Sequence, residues 1–124
     1  DYRRGVEQVL PQYDNALTRD WLSILLADVG LESDAGDIRF SIEEVPAGGG
    51  LLRIIAAFQF QRRATAVADG ERIEFEAGSQ LRLFCSCRHT ADTLQQVFAN
   101  ASLKPAGSWI SESGEEGVFL AVRA

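Results

Sequence analysis

Gln80–Ser102 reads QLRLFCSCRHTADTLQQVFANAS, and its interpretation decides how the rest of the chain is read. It has the pattern of a strand, a polar turn and a helix. Strict alternation puts Leu81, Leu83, Cys85 and Cys87 on one face of the strand, and Arg82, Phe84 and Ser86 on the other. Apolar packing is the ordinary fate of such cysteines, so the cysteine face is expected to be the buried one. Thr90 is placed to cap the helix, and Asp92 sits in its first turn, where a negative charge suits the helix dipole. Leu94, Val97, Phe98 and Ala101 repeat at helical spacing and make one apolar stripe. Two short strands follow, Gly107 to Ile110 and Val118 to Val122, joined by the polar ESGEEG. Residues 80–124 are therefore expected to form a β–α–β–β tail ending in a hairpin, with Glu112, Glu115 and Glu116 at a solvated tip.

Working back from that tail, the chain changes period twice. Asp1 to Gln12 is charged and irregular, and predicts no more than a helical turn through Val6 and Leu10 before Pro11. DNALTRDWLSILLADVG is the first full helix, with Asp14 or Asn15 as its cap and Gly30 as the left-handed residue that ends it. Leu17, Trp21, Ile24, Leu25 and Val29 form its apolar face, and Trp21 is expected to anchor the core. From Ile38 the period becomes two, as Ile38, Phe40 and Ile42 alternate with Arg39, Ser41 and Glu43. LLRIIAAFQFQRR is the longest strand candidate. Asp69-Gly70 marks a hairpin between TAVA and RIEFE. The expectation is an α+β protein: one N-terminal helix and an antiparallel meander over residues 1–79, then the tail over 80–124, the two together making one compact domain.

Composition excludes several classes of function. At 124 residues the chain has the length of one domain, and its 46% hydrophobic and 24% charged residues are ordinary for a globular protein. A net charge of −6 argues against a nucleic-acid surface, which needs a basic face. No apolar run is long enough to span a bilayer, and DYRRGVEQVL is unlike a signal peptide. Two cysteines at i and i+2 do not read as a secreted disulfide framework, so the expected setting is cytoplasmic with reduced thiols. The chain has no methionine, so it is expected to be a processed protein or a piece of a longer one.

Several motifs invite chemistry. Gly48-Gly49-Gly50 is followed by β-prone LLRII instead of a helix, which favours a hairpin turn over a phosphate loop. Cys85, Cys87 and His89 spell C-x-C-x-H, but a structural zinc site takes four ligands and the chain has one histidine and two cysteines. A disulfide between i and i+2 on an extended strand is sterically poor. No further residue completes a triad for a nucleophilic cysteine served by His89. Ser86, Arg88 and His89 cluster where a strand ends before a helix. That edge of an open α/β sheet is where ligands sit, although a capped polar turn would look the same.

Three phrases taken together resemble the C-terminal part of the histidine-specific S-adenosylmethionine-dependent methyltransferase family: YDNALTRDWL, FEAGSQLRLFCSCRHT and WISESGEEGVFLAV. Phe75, Ala77, Gly78, Ser86, Arg88, His89, Trp109 and Phe119 stand at the family's motif positions. The resemblance covers nearly the whole chain and implies the substrate-side region of such an enzyme, together with the last strands of its catalytic sheet. It implies S-adenosylmethionine as cofactor of the full-length enzyme, held by a cofactor domain N-terminal to this segment, with no cofactor bound by this chain and no activity of the chain alone. It also implies that Val118 to Val122 lies between the strand at Leu81 to Ser86 and the strand at Gly107 to Ile110. Ser86 matches a substrate-binding serine. Phe84 stands where the histidine-specific members carry a glutamate, which an aromatic ring cannot replace as a hydrogen-bond acceptor. The implied substrate is thus an amino-acid-like amine, more apolar or aromatic than histidine, with Phe84 and Ser86 as the substrate-binding residues. A stand-alone, non-catalytic module that binds a small molecule or a protein is the alternative from a different class. A homodimer through residues 80–87 or the adjacent helix is a further expectation, because removing a neighbouring domain bares the edge of that strand.

Overall fold

The computed structural model describes residues 1–124. Helix α1, Tyr2–Tyr13, begins at Asp1, whose Oδ1 accepts from the Arg3 N–H at 3.1 Å. It runs through Pro11 instead of stopping there. The proline lies in the last turn and removes a single intrahelical donor. Against that loss, Tyr2, Val6, Val9, Leu10 and Tyr13 line up and pack on the sheet.

Helix α2, Ala16–Asp28, is capped by Asn15, whose side chain accepts from the Thr18 N–H at 3.0 Å, and Gly30 follows it at φ +81°. Both boundaries agree with the sequence reading, but the buried face does not. Leu22 and Leu26 are buried, whereas Leu17, Trp21, Ile24 and Leu25 are 81%, 63%, 61% and 45% exposed. Trp21 is therefore not a core anchor. The apolar residues of α2 nearly encircle it, so periodicity could not select the side that the sheet would cover.

A single 3-10 turn, Ser33–Ala35, leads into five strands: β1 Gly36–Glu44, β2 Leu52–Phe60, β3 Ala64–Ala68, β4 Glu71–Phe75 and β5 Gln80–Arg88. All pairing is antiparallel. The turn between β1 and β2 holds Gly48–Gly50, and Asp69-Gly70, with φ +49° and +80°, makes the tight turn between β3 and β4. The strands do not form one continuous meander. The β3–β4 hairpin is its own sheet, and β5 returns beside β2 to give the order β1-β2-β5.

One face of this three-stranded sheet carries the core, in two clusters. Val6 of α1 packs with Leu52 and Ile54, joined by Phe40, Ile42 and Phe84. Leu26 of α2 packs with Leu31, Ala35, Phe58, Phe60 and Ala66, with the Phe60 ring stacked on Phe75 at 4.5 Å. Burying a Phe or Ile side chain of this kind contributes about 1.5–3 kcal/mol. A net hydrogen bond contributes about 1 kcal/mol, so these clusters carry the stability and the polar contacts set geometry.

The chain divides into two units, Asp1–Arg88 and His89–Ala124. Strand β5 belongs to the first unit, in the sheet of β1 and β2. In the second unit Thr90 caps α3, Ala91–Asn100, in a capping box with Thr93. Strands β6, Leu103–Ile110, and β7, Gly117–Arg123, pair as an antiparallel hairpin, and Glu112, Glu115 and Glu116 at its tip are exposed. The architecture is thus α+β, with the expected β–α–β–β order of elements in its tail. The expected placement of β7 between β5 and β6 does not occur. Strand β7 pairs with β6 alone, and β5 pairs with β2 in another sheet.

Candidate functional site

Strand β5 changes sides part-way along. Phe84 pairs with Ala56 and Arg82 with Ala57, so Leu83 is an extra residue with no partner on β2. Such a bulge shifts the alternation by one. Leu81 and Leu83 face inward as expected, but beyond the bulge the inward residues are Phe84, Ser86 and Arg88. Cys85 and Cys87 are turned out and exposed, contrary to their expected burial. The Leu83-Phe84 doublet, two large apolar residues in succession, is the sequence signal of this switch.

The inward turn brings Phe84, Ser86 and Arg88 against α1, where they form a compact aromatic and hydroxyl cluster. The Tyr13 ring lies 5.2 Å from the Phe84 ring, centroid to centroid. Its hydroxyl is 3.3 Å from Ser86 Oγ and accepts from Arg88 Nη1 at 3.2 Å. The Tyr2 hydroxyl donates to the Arg88 carbonyl at 2.6 Å and accepts from the Leu52 N–H at 2.8 Å. It thereby clamps the end of the β2–β5 ladder, where Leu52 faces Arg88. Tyr2 and Tyr13 are eleven residues apart, about three helical turns, and so lie on one side of α1. That spacing was legible in the sequence once a helix through Pro11 was allowed. His89, by contrast, is exposed and belongs to the second unit.

All members of the cluster are half-buried. The set combines an aromatic wall, two hydroxyls that can donate or accept, and a guanidinium suited to a carboxylate.

The outer face of the sheet is different in character. Arg53 lies opposite Glu43 on one side and Cys87 on the other. Its Nε donates to Glu43 Oε1 at 2.8 Å, and this ion pair raises the guanidinium pKa from its usual value. Partial burial and the neighbouring Cys85 thiol push the Cys87 thiol up, and Arg53 pulls it the other way.

A separate open groove of about 670 Å³ lies where α2 meets the start of β1, lined by Arg19, Ser23, Gly30, Glu32, Asp37 and Phe58 among others. Its polar groups are already engaged. Arg19 donates to Asp14 at 2.7 Å and to the Ile38 carbonyl at 2.8 Å, and Asp37 accepts from Gln61 at 2.5 Å. The groove contains neither Phe84 nor Ser86. The Tyr13–Phe84–Ser86–Arg88 cluster is the better candidate.

No family model matches this chain, and no curated protein matches it.

Proposed function

We propose that this chain is the substrate-side portion of an S-adenosylmethionine-dependent methyltransferase acting on an amino-acid-like amine. One observation carries the reading. Phe84 and Ser86, the two positions the family resemblance singles out, lie on the same inward face of β5, beside the Tyr13 hydroxyl and the Arg88 guanidinium. In this reading Ser86 orients the amine, Arg88 meets a carboxylate, and Phe84 with Tyr13 shapes an aromatic wall. The protein's contribution to methyl transfer is then chiefly to hold the amine in line and keep water away.

The residues present do not fit the cofactor. Gly48–Gly50, the one glycine-rich stretch, joins two strands and opens no helix whose N-terminus could meet a ligand. In this reading the cofactor is held by another domain of the full-length enzyme. The second unit supports a larger assembly. Trp109, Val118, Leu120 and Val122 are 61%, 67%, 49% and 48% exposed. That is an apolar surface of the kind a neighbouring layer covers.

The test is a methyl-transfer assay on the full-length protein, comparing histidine with aromatic and aliphatic amino acids. The expected result is a preference for aromatic or aliphatic amines, with Phe84→Glu shifting the preference toward histidine. A wild-type preference for histidine would defeat the assigned role of Phe84. Absence of methyl transfer to any amine, with S-adenosylmethionine shown to bind, would favour the non-catalytic module.

A further inference from the structure

We propose that Cys85 and Cys87 form a two-coordinate thiolate site for copper(I) on the outer face of the sheet. Both thiols are exposed and free, and the bulge at Leu83 puts both on that face. Residues i and i+2 on a strand are about 6.6 Å apart. A disulfide requires Cβ atoms about 3.5–4.5 Å apart, so the two thiols cannot oxidise to each other without moving the backbone. A metal ion spans the distance. Two collinear metal–thiolate bonds of about 2.3 Å hold their sulfurs about 4.6 Å apart, which each Sγ reaches by leaning inward about 1 Å.

The surroundings select the ion. No group of three or more His, Cys, Asp or Glu side chains converges anywhere in the structure, so a four-coordinate zinc site has no ligands to complete it. Glu43, the carboxylate on the same face, is held by Arg53. Two thiolates with no hard ligand suit a soft monovalent ion. Ile55, directly opposite Cys85 and 6% exposed, gives the pair an apolar floor. Binding replaces two S–H bonds by two S–Cu bonds and releases two protons. The product is a bis-thiolate complex with one negative charge, and Arg53, opposite Cys87, lies beside it.

The probe is copper(I), supplied anaerobically as its acetonitrile complex and titrated into this chain against a chromogenic copper(I) chelator. The expected result is one ion per chain, with both thiols protected from iodoacetamide in the complex. Cys85→Ser and Cys87→Ser are each expected to weaken binding at least about 100-fold, because either change removes the chelate. Affinity is expected to rise with pH, because binding releases two protons. Circular dichroism of the serine variants checks that the fold is retained, which the outward position of both thiols favours. Single-cysteine variants that bind within threefold of wild type would overturn the proposal. So would one ion shared between two chains, or zinc(II) bound as tightly as copper(I).

Discussion

The Tyr13 hydroxyl stands 3.3 Å from Ser86 Oγ and takes the Arg88 guanidinium at 3.2 Å, so one residue of α1 joins two residues of β5 that lie more than seventy positions away. This contact ties the first helix to the last strand of the sheet at the candidate site. Tyr13→Phe is expected to cost about 1 kcal/mol in urea unfolding, the net value of a hydrogen bond, with a larger share because Arg88 is charged. Ser86→Ala alone is expected to cost less. A double-mutant cycle that gave no coupling between positions 13 and 86 would show that the contact does not form in solution.

The exposed stripe on α2 makes a contrast that chemical denaturation can read. Leu22 is 1% exposed and Trp21 is its 63% exposed neighbour. Leu22→Ala is expected to destabilise by about 2–5 kcal/mol, the range for truncating a buried leucine. Trp21→Ala should stay within about 0.5 kcal/mol, as surface substitutions do. Comparable losses at both positions would mean that α2 is rotated toward the face that its periodicity suggested.

The Cys87 thiol has a pKa raised above its ordinary value of 9.0 by burial and by Cys85. The folded chain therefore holds that proton more tightly than the unfolded chain. Its contribution to stability is fully present below about pH 9 and is lost as pH rises through the higher folded value. The effect is small because the residue is exposed. Wild type is expected to lose more stability than Cys87→Ser between pH 8 and pH 10.5, and equal losses would place the thiol in an ordinary aqueous setting. Alkylation of Cys87 in the native state should likewise show a midpoint above 9.0.

The sheet order β1-β2-β5 leaves one side of β5 without a partner, and an unpaired edge is a template for a second copy. We propose that this chain, taken alone, forms a two-fold dimer through residues 80–87. Light scattering at micromolar concentration should give twice the 13.6 kDa chain mass. Arg82→Pro, which removes a backbone donor from that strand, should return it to a monomer. A monomer throughout the concentration range would leave the edge to the proposed cofactor domain alone.

Local signals in the sequence determined much of this protein. Asn15 and Thr90 as caps, Gly30 as a helix end, Asp69-Gly70 as a hairpin turn and the α+β order of elements follow from short-range chemistry that a few neighbouring residues decide. The choice of Phe84 and Ser86 as site residues came from a motif resemblance. Their inward orientation came from tertiary structure, because the unpaired Leu83 is defined only against Ala56 and Ala57 on another strand. The same bulge exposed Cys85 and Cys87, which strict alternation had placed on the buried face. Tertiary packing also chose the side of α2 that is buried, since a helix apolar on most sides has no preferred face until a sheet meets it. It carried α1 through Pro11 as well, because burying Val6 against Leu52 and Ile54 outweighs one missing hydrogen bond. Caps and turns depend on neighbours in sequence, while register and facing depend on partners brought together only by folding.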